Sequence, residues 1–127
     1  MPINYRKQGL SNKRRGRVFE QKISKALQKI DTSCRRTPMS GAWQLDFAGD
    51  IFCRNHEVLS NSYIECKYRK NQSLPSWIQE AKDRIQNQSF LIIIYAKPYG
   101  EEKVYYEELR TGKIHHFSWQ EFVKYIT

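Results

Sequence analysis

The chain has 127 residues, enough for one domain with a core of its own. Its 22 Lys and Arg against 13 Asp and Glu leave a net charge of +9. That excess points to a polyanionic partner, nucleic acid before an anionic membrane surface, because no basic helix with a wide apolar face is evident. The longest apolar run, residues 90–96, is far too short to span a bilayer. The N-terminus shows no signal-peptide core. Cys34, Cys53 and Cys66 are odd in number, widely spaced and without a Cys-x-x-Cys pair. They predict reduced thiols in a cytoplasmic protein, with neither a disulfide framework nor a zinc site.

Residues 1–17 carry Arg6, Lys7, Lys13, Arg14, Arg15 and Arg17, with no acid before Glu20. Gly9, Ser11 and Asn12 interrupt any regular pattern, so residues 1–13 read as a flexible basic arm suited to phosphate contacts. A solvated tail is the plainer alternative. A helix is expected over residues 14–30, where Phe19, Ile23, Ala26, Leu27 and Ile30 recur at helical spacing. Glu20 flanks that stripe and could reach towards a sheet. Residues 31–48 read as irregular, punctuated by Pro38 and Gly41, and hold Arg35, Arg36, Ser40 and Trp43.

Strands are expected at about 49–54 and 62–68, joined by a polar turn. A helix from Pro75 to Gln88 follows, then a strand over 90–96 whose unbroken apolarity implies cover on both faces. Residues 104–106 and 114–117 flank the turn signal Thr111-Gly112 and predict a hairpin. Ser118-Trp119-Gln120-Glu121 is a capping box, with Phe117 and Phe122 placed as a hydrophobic staple for a last helix. The order α, ββ, α, β, β(β), α defines a single-domain α/β fold, a mixed sheet flanked by helices over residues 14–127.

The chemistry concentrates on two of these strands. Residues i and i+2 of a strand share a face, so Glu65 and Lys67 stand side by side, roughly 7 Å apart, while Ile64 and Cys66 point into a core. Asp50 opens the neighbouring strand after Gly49. With Glu20 from the preceding helix, three carboxylates and a lysine suit Mg²⁺, which prefers oxygen ligands and keeps several waters. The candidate metal set is Glu20, Asp50, Glu65 and Cys66. Two carboxylates that close repel without a cation, which makes the cluster costly as decoration. A Glu–Lys pair on an exposed strand is the plainer alternative, and Asp46 is a rival for Asp50. His115 and His116 are adjacent, face opposite ways and read as cross-strand packing. Trp43 and Tyr68 could flank DNA. Arg6, Lys7, Lys13, Arg14, Arg15, Arg17, Arg35 and Arg36 are the candidate DNA-binding cations.

Asp50…Glu65-Cys66-Lys67 resembles the PD-(D/E)xK nuclease motif, with Gly49 in place of the usual Pro. The chain from about residue 5 to 70 resembles, more narrowly, the archaeal-type Holliday junction resolvases that also occur in phages. Gly16-Arg17-Val18-Phe19-Glu20 matches their Gly-x-x-x-Glu helix start; Arg36 and Ser40-Gly41 match their Arg and Ser-Gly loop. The resemblance implies a restriction-endonuclease-like fold and a homodimer that nicks four-way junctions in pairs. It implies Mg²⁺, with Mn²⁺ able to substitute, and the catalytic set Glu20, Ser40, Asp50, Glu65 and Lys67, Ser40 lying near the scissile phosphate. A phage-encoded protein acting on branched or double-stranded DNA in a host cell fits this pattern. The alternatives are another PD-(D/E)xK nuclease, nicking or restriction-like, and a non-catalytic nucleic-acid-binding module.

Overall fold

A computed structural model describes residues 5–38 and 49–127, with side chains from residue 13 onward. Among the described residues six strands form one mixed sheet in the order β1 to β6: β1 (Arg35–Arg36), β2 (Ile51–Phe52), β3 (Ser62–Tyr68), β4 (Phe90–Ala96), β5 (Lys103–Glu108) and β6 (Lys113–Ser118). Of these strands only β3 and β4 run parallel. Their crossover carries α2 (Leu74–Arg84), as a parallel connection requires. Helix α1 (Tyr5–Leu27) precedes the sheet and α3 (Trp119–Ile126) closes the chain.

Period-two alternation along the strands splits the core in two. Ile64, Cys66, Ile92, Ile94, Val104 and Tyr106 face α1 and α3, packing on Phe19, Ile23, Leu27 and Phe122. Tyr63, Leu91, Ile93 and Tyr105 face α2, packing on Trp77 and Ala81. Leu91 through Ile94 are each 0% exposed, so β4 is covered on both faces as its sequence requires. The hairpin and the α3 cap form as expected: Glu121 N–H donates to Ser118 Oγ, and Ser118 N–H donates to Glu121. His115 and His116 take opposite faces, against Tyr106 and Tyr105. Restriction-endonuclease-like describes this small α/β architecture.

Three expectations need correction. Helix α1 begins at Tyr5 rather than near residue 14 and ends at Leu27 rather than Ile30, so most of the basic N-terminal segment, Arg6 and Lys7 included, is helical. A glycine inside a helix costs only about 1 kcal/mol, so Gly9 does not stop a helix anchored downstream by Phe19, Ile23 and Leu27. Helix α2 ends at Arg84 because Ile85 turns to extended backbone. The third concerns the thiols: Cys34 and Cys53 form a disulfide, with Cα atoms 4.2 Å apart. Antiparallel β1 and β2 pair Arg35 with Phe52 and Arg36 with Ile51, which brings the flanking Cys34 and Cys53 opposite each other. Cys66 remains a free, buried thiol.

Candidate active site

Strand β2 pairs with β3 only as far as Ile64. Beyond that point the outer edge of β3 would expose its N–H groups. Asp50 meets this edge: its backbone N–H donates to Ile64 O at 2.7 Å, and its Oδ2 accepts the Cys66 N–H at 2.8 Å. From the other side Thr37 N–H donates to Asp50 O at 2.8 Å. The turn into this position depends on Gly49, whose φ is +78°. A Cβ there would stand 2.3 Å from Ile64 O, so a side chain is excluded by contact as well as by conformation. Glycine where the motif usually has proline is therefore a requirement of this backbone.

Asp50 sits between carboxylates from the two faces of the sheet. On the α2 face stands Glu65, 8% exposed. Burial and the neighbouring Asp50, with which it shares a hydrogen bond, push its pKa up to about 7, against the pull of Lys67. Lys67 Nζ lies 4.0 Å from Glu65 Oε1, confirming their common face. Tyr63, two residues earlier on that face, hydrogen-bonds both Glu65 and Arg84 of α2. On the α1 side stands Glu20, whose pKa is raised by burial and by Asp50. Arg36 of β1 offsets that, donating from Nη2 at 3.1 Å and Nε at 3.3 Å to Glu20 Oε2. The open edge of β3 thus gathers Glu20, Arg36, Asp50, Glu65 and Lys67.

Two raised carboxylate pKa values mark an electrostatic conflict that Arg36 and Lys67 offset only in part. An all-oxygen donor set in that condition fits a hard divalent cation. Asp50 and Glu65 would hold it, with Glu20 beside Asp50. Cys66 contributes differently from a thiol ligand: its side chain lies in the core cluster, burial pushes the thiol pKa well up, and its N–H anchors Asp50.

A second group, Asp31 with Cys34 and Cys53, also brings ligand atoms within 4.8 Å of one another. Its chemistry is already spent. The two sulfurs are bonded together. Asp31 Oδ1 accepts from Ser33 N and Oγ, and Oδ2 accepts from Asn55 N and His56 N, at 2.6–3.0 Å. Burial alone would raise this carboxyl, but those hydrogen bonds outweigh it and hold the pKa at about 2. This is a staple joining the α1–β1 turn to the loop after β2.

Of the other candidates, Ser40 and Asp46, the rival of Asp50, lie outside the described residues, as does Trp43. The side chains of Arg6 and Lys7 do too. Lys13, Arg14, Arg15 and Arg17 are exposed on α1. Arg35 turns its guanidinium to the Thr32 and Cys34 carbonyls. Sequence reasoning missed Tyr63 and Arg84; the period-two rule that paired Glu65 with Lys67 also selects Tyr63.

A mixed sheet with an Asp at the open edge of a Glu-x-Lys strand defines the PD-(D/E)xK nuclease class. Residues 11–124 match the family described as phage putative PDDEXK endonuclease, and the chain belongs to that family. Searches of curated proteins and of solved structures returned no match. Among the described residues no helix is long and apolar enough to cross a membrane.

Proposed function

We propose that the protein is a Mg²⁺-dependent endonuclease that hydrolyses DNA phosphodiester bonds at the open edge of β3, and that its preferred substrate is branched DNA, resolved as four-way junctions by paired nicks. The observation that carries the catalytic part is the position of Asp50 between Glu20 and Glu65, with both flanking carboxyls raised in pKa. The cation would lower the pKa of a bound water and offset charge on the phosphoryl group. Asp50 and Glu65 hold the site; the Cys66 N–H keeps Asp50 oriented, and the Tyr63 hydroxyl does the same for Glu65. Lys67, 19% exposed at its side chain, faces the reacting phosphate or its attacking water. Arg36 restrains Glu20.

The junction preference rests on the resemblance carried by Gly16–Glu20, Arg36, Asp50 and Ile64–Lys67. Paired nicks call for two active sites, hence a homodimer. The outer edge of β6, with Ile114 and Tyr125 about half exposed beside it, is a surface suited to self-association.

The test uses labelled four-way junction, linear duplex and single strand, each with Mg²⁺ or EDTA. Wild type should cut the junction in Mg²⁺ alone, while Asp50→Asn and Lys67→Ala bind without cutting. Binding with no cleavage under any divalent metal would sink the enzyme reading. Equal cutting of linear duplex would remove the junction preference and leave a general nuclease.

A further inference from the structure

The site described above has a neighbour that shares its elements. Phe19 adjoins Glu20 on α1, and Tyr68 adjoins Lys67 on β3; in each pair one residue serves the carboxylate cluster and the other points away from it. Phe19 and Tyr68 stack at 5.2 Å between ring centroids. With Val18 and Tyr99 they line a bay of about 320 Å³, rimmed by Arg14 and Arg15. Arg15 also borders the adjoining cleft with Arg69, Lys70 and Lys97. At the far rim Lys22 is neutralised by Glu102. None of Arg14, Arg15, Arg69, Lys70 and Lys97 forms an ion pair with a described acid.

Tyr99 is the unusual member. It is 100% exposed and has φ +62°, a backbone conformation that side chains other than glycine's avoid. The turn after β4 holds it there: Gly100 N–H donates to Lys97 O at 2.8 Å, and Tyr99 N–H donates to Tyr68 Oη at 3.4 Å. An aromatic ring kept in water on a strained turn, lining one bay with a stacked aromatic pair and with cations free of ion pairs to described acids, matches the recipe for gripping a single strand: a π surface for a base and cations for its phosphates. A purely paired duplex offers no free base face to such a bay.

We propose that the bay takes an unpaired nucleotide of the DNA substrate beside the cleaved bond, its base stacked on Tyr99 and its flanking phosphates held by Arg15, Arg69 and Lys97. This rests on the DNA substrate proposed above. It gives that reading a physical basis for preferring branched over continuous duplex, since base pairs at a branch point lack continuous stacking and release a nucleotide at less cost than pairs inside a duplex.

Binding measured in EDTA tests it without requiring cleavage. The probes are a 2-aminopurine oligonucleotide, single-stranded, and the same sequence fully paired. Wild type should quench the single-stranded probe. Tyr99→Ala should abolish the quench and weaken single-strand binding about tenfold or more, within the range of one lost base stack, while duplex affinity stays within about twofold. Tyr99→Trp should restore both quench and affinity. An equal loss on both probes, or no loss on the single strand, overturns the proposal. Absence of Mg²⁺-dependent cutting would sink the nuclease reading and leave this binding result standing.

Discussion

Two acidic clusters lie on either side of the short strand β2, each beside a cysteine, and they have opposite electrostatic characters. Asp31 has four donors on its two oxygens and a pKa held at about 2. Glu65 faces another carboxylate, is buried, and has a pKa near 7. The first carboxylate is satisfied by the fold; the second is left in conflict by it. A satisfied buried charge holds structure together, whereas an unsatisfied one destabilises the empty protein and is retained where a ligand relieves it. Proximity of acids and thiols alone would rank the Asp31 cluster first as a metal site, although its sulfurs are bonded together and its carboxylate is already satisfied.

The sharpest way to break this comparison is to neutralise one acid in each cluster. Asp50→Asn should lower the rate of DNA cleavage by about a thousandfold, in the range for losing a metal-holding or charge-stabilising group, and leave the melting temperature equal or higher. Asp31→Asn should do the reverse. Its amide would turn donors towards the N–H groups of Ser33 or of Asn55 and His56, at a cost of about 3 kcal/mol, with kcat unchanged below the melting temperature. Thermal melts and cleavage rates on both variants decide it. If Asp31→Asn loses activity while fully folded, the staple has a catalytic part and the division fails.

Reduction of Cys34–Cys53 tests the staple from its other side. The bridged residues are 19 apart, and closing a loop of that size restricts the unfolded chain by about 3 kcal/mol in the entropic account. Strain and residual structure commonly reduce that figure, so a loss of about 2 kcal/mol is expected for the Cys34→Ala/Cys53→Ala double variant. Because Arg36 and Asp50 flank the bridged β1–β2 pair, a modest fall in cleavage should accompany it. Identical melts with and without reductant would show that the bridge contributes nothing.

The division between the clusters also explains which parts of the molecule could be seen in the sequence. Strands β3 and β4, the β5–β6 hairpin and the α3 cap announce themselves by period, by a turn and by Ser118 with Glu121. Glu65 and Lys67 followed from the same alternation. The disulfide did not, because β1 is two arginines with no apolar alternation. Without β1 as a strand, nothing sets Cys34 opposite Cys53. The tightness around Gly49 was equally hidden, since it comes from Ile64, a residue of another strand. The N-terminal helix was masked by Gly9, Ser11 and Asn12, whose local preferences are outweighed by packing further along α1.

The smallest expected effect, and the one that reads both clusters in one titration, is the pH dependence of stability in EDTA. Glu65 has a folded pKa of about 7 against an ordinary value of 4.5. Between those values the folded state binds more protons than the unfolded one, so stability falls as pH rises from about 4.5 to 7. Asp31 has the opposite sign: its folded pKa of about 2 lies below the ordinary 3.8, so its contribution is complete above 3.8 and lost as pH falls towards 2. The metal-free protein should therefore melt highest near pH 4–5 on account of these two groups, and a few degrees lower at pH 7. Glu65→Gln should remove most of the upper limb, leaving the smaller share of Glu20, and Asp31→Asn should flatten the lower limb. Mg²⁺ should raise the melting temperature at pH 7 more than at pH 5, because it competes with the proton for the same carboxylates. An upper limb undiminished by Glu65→Gln would remove Glu65 from the electrostatic argument for a cation at Asp50.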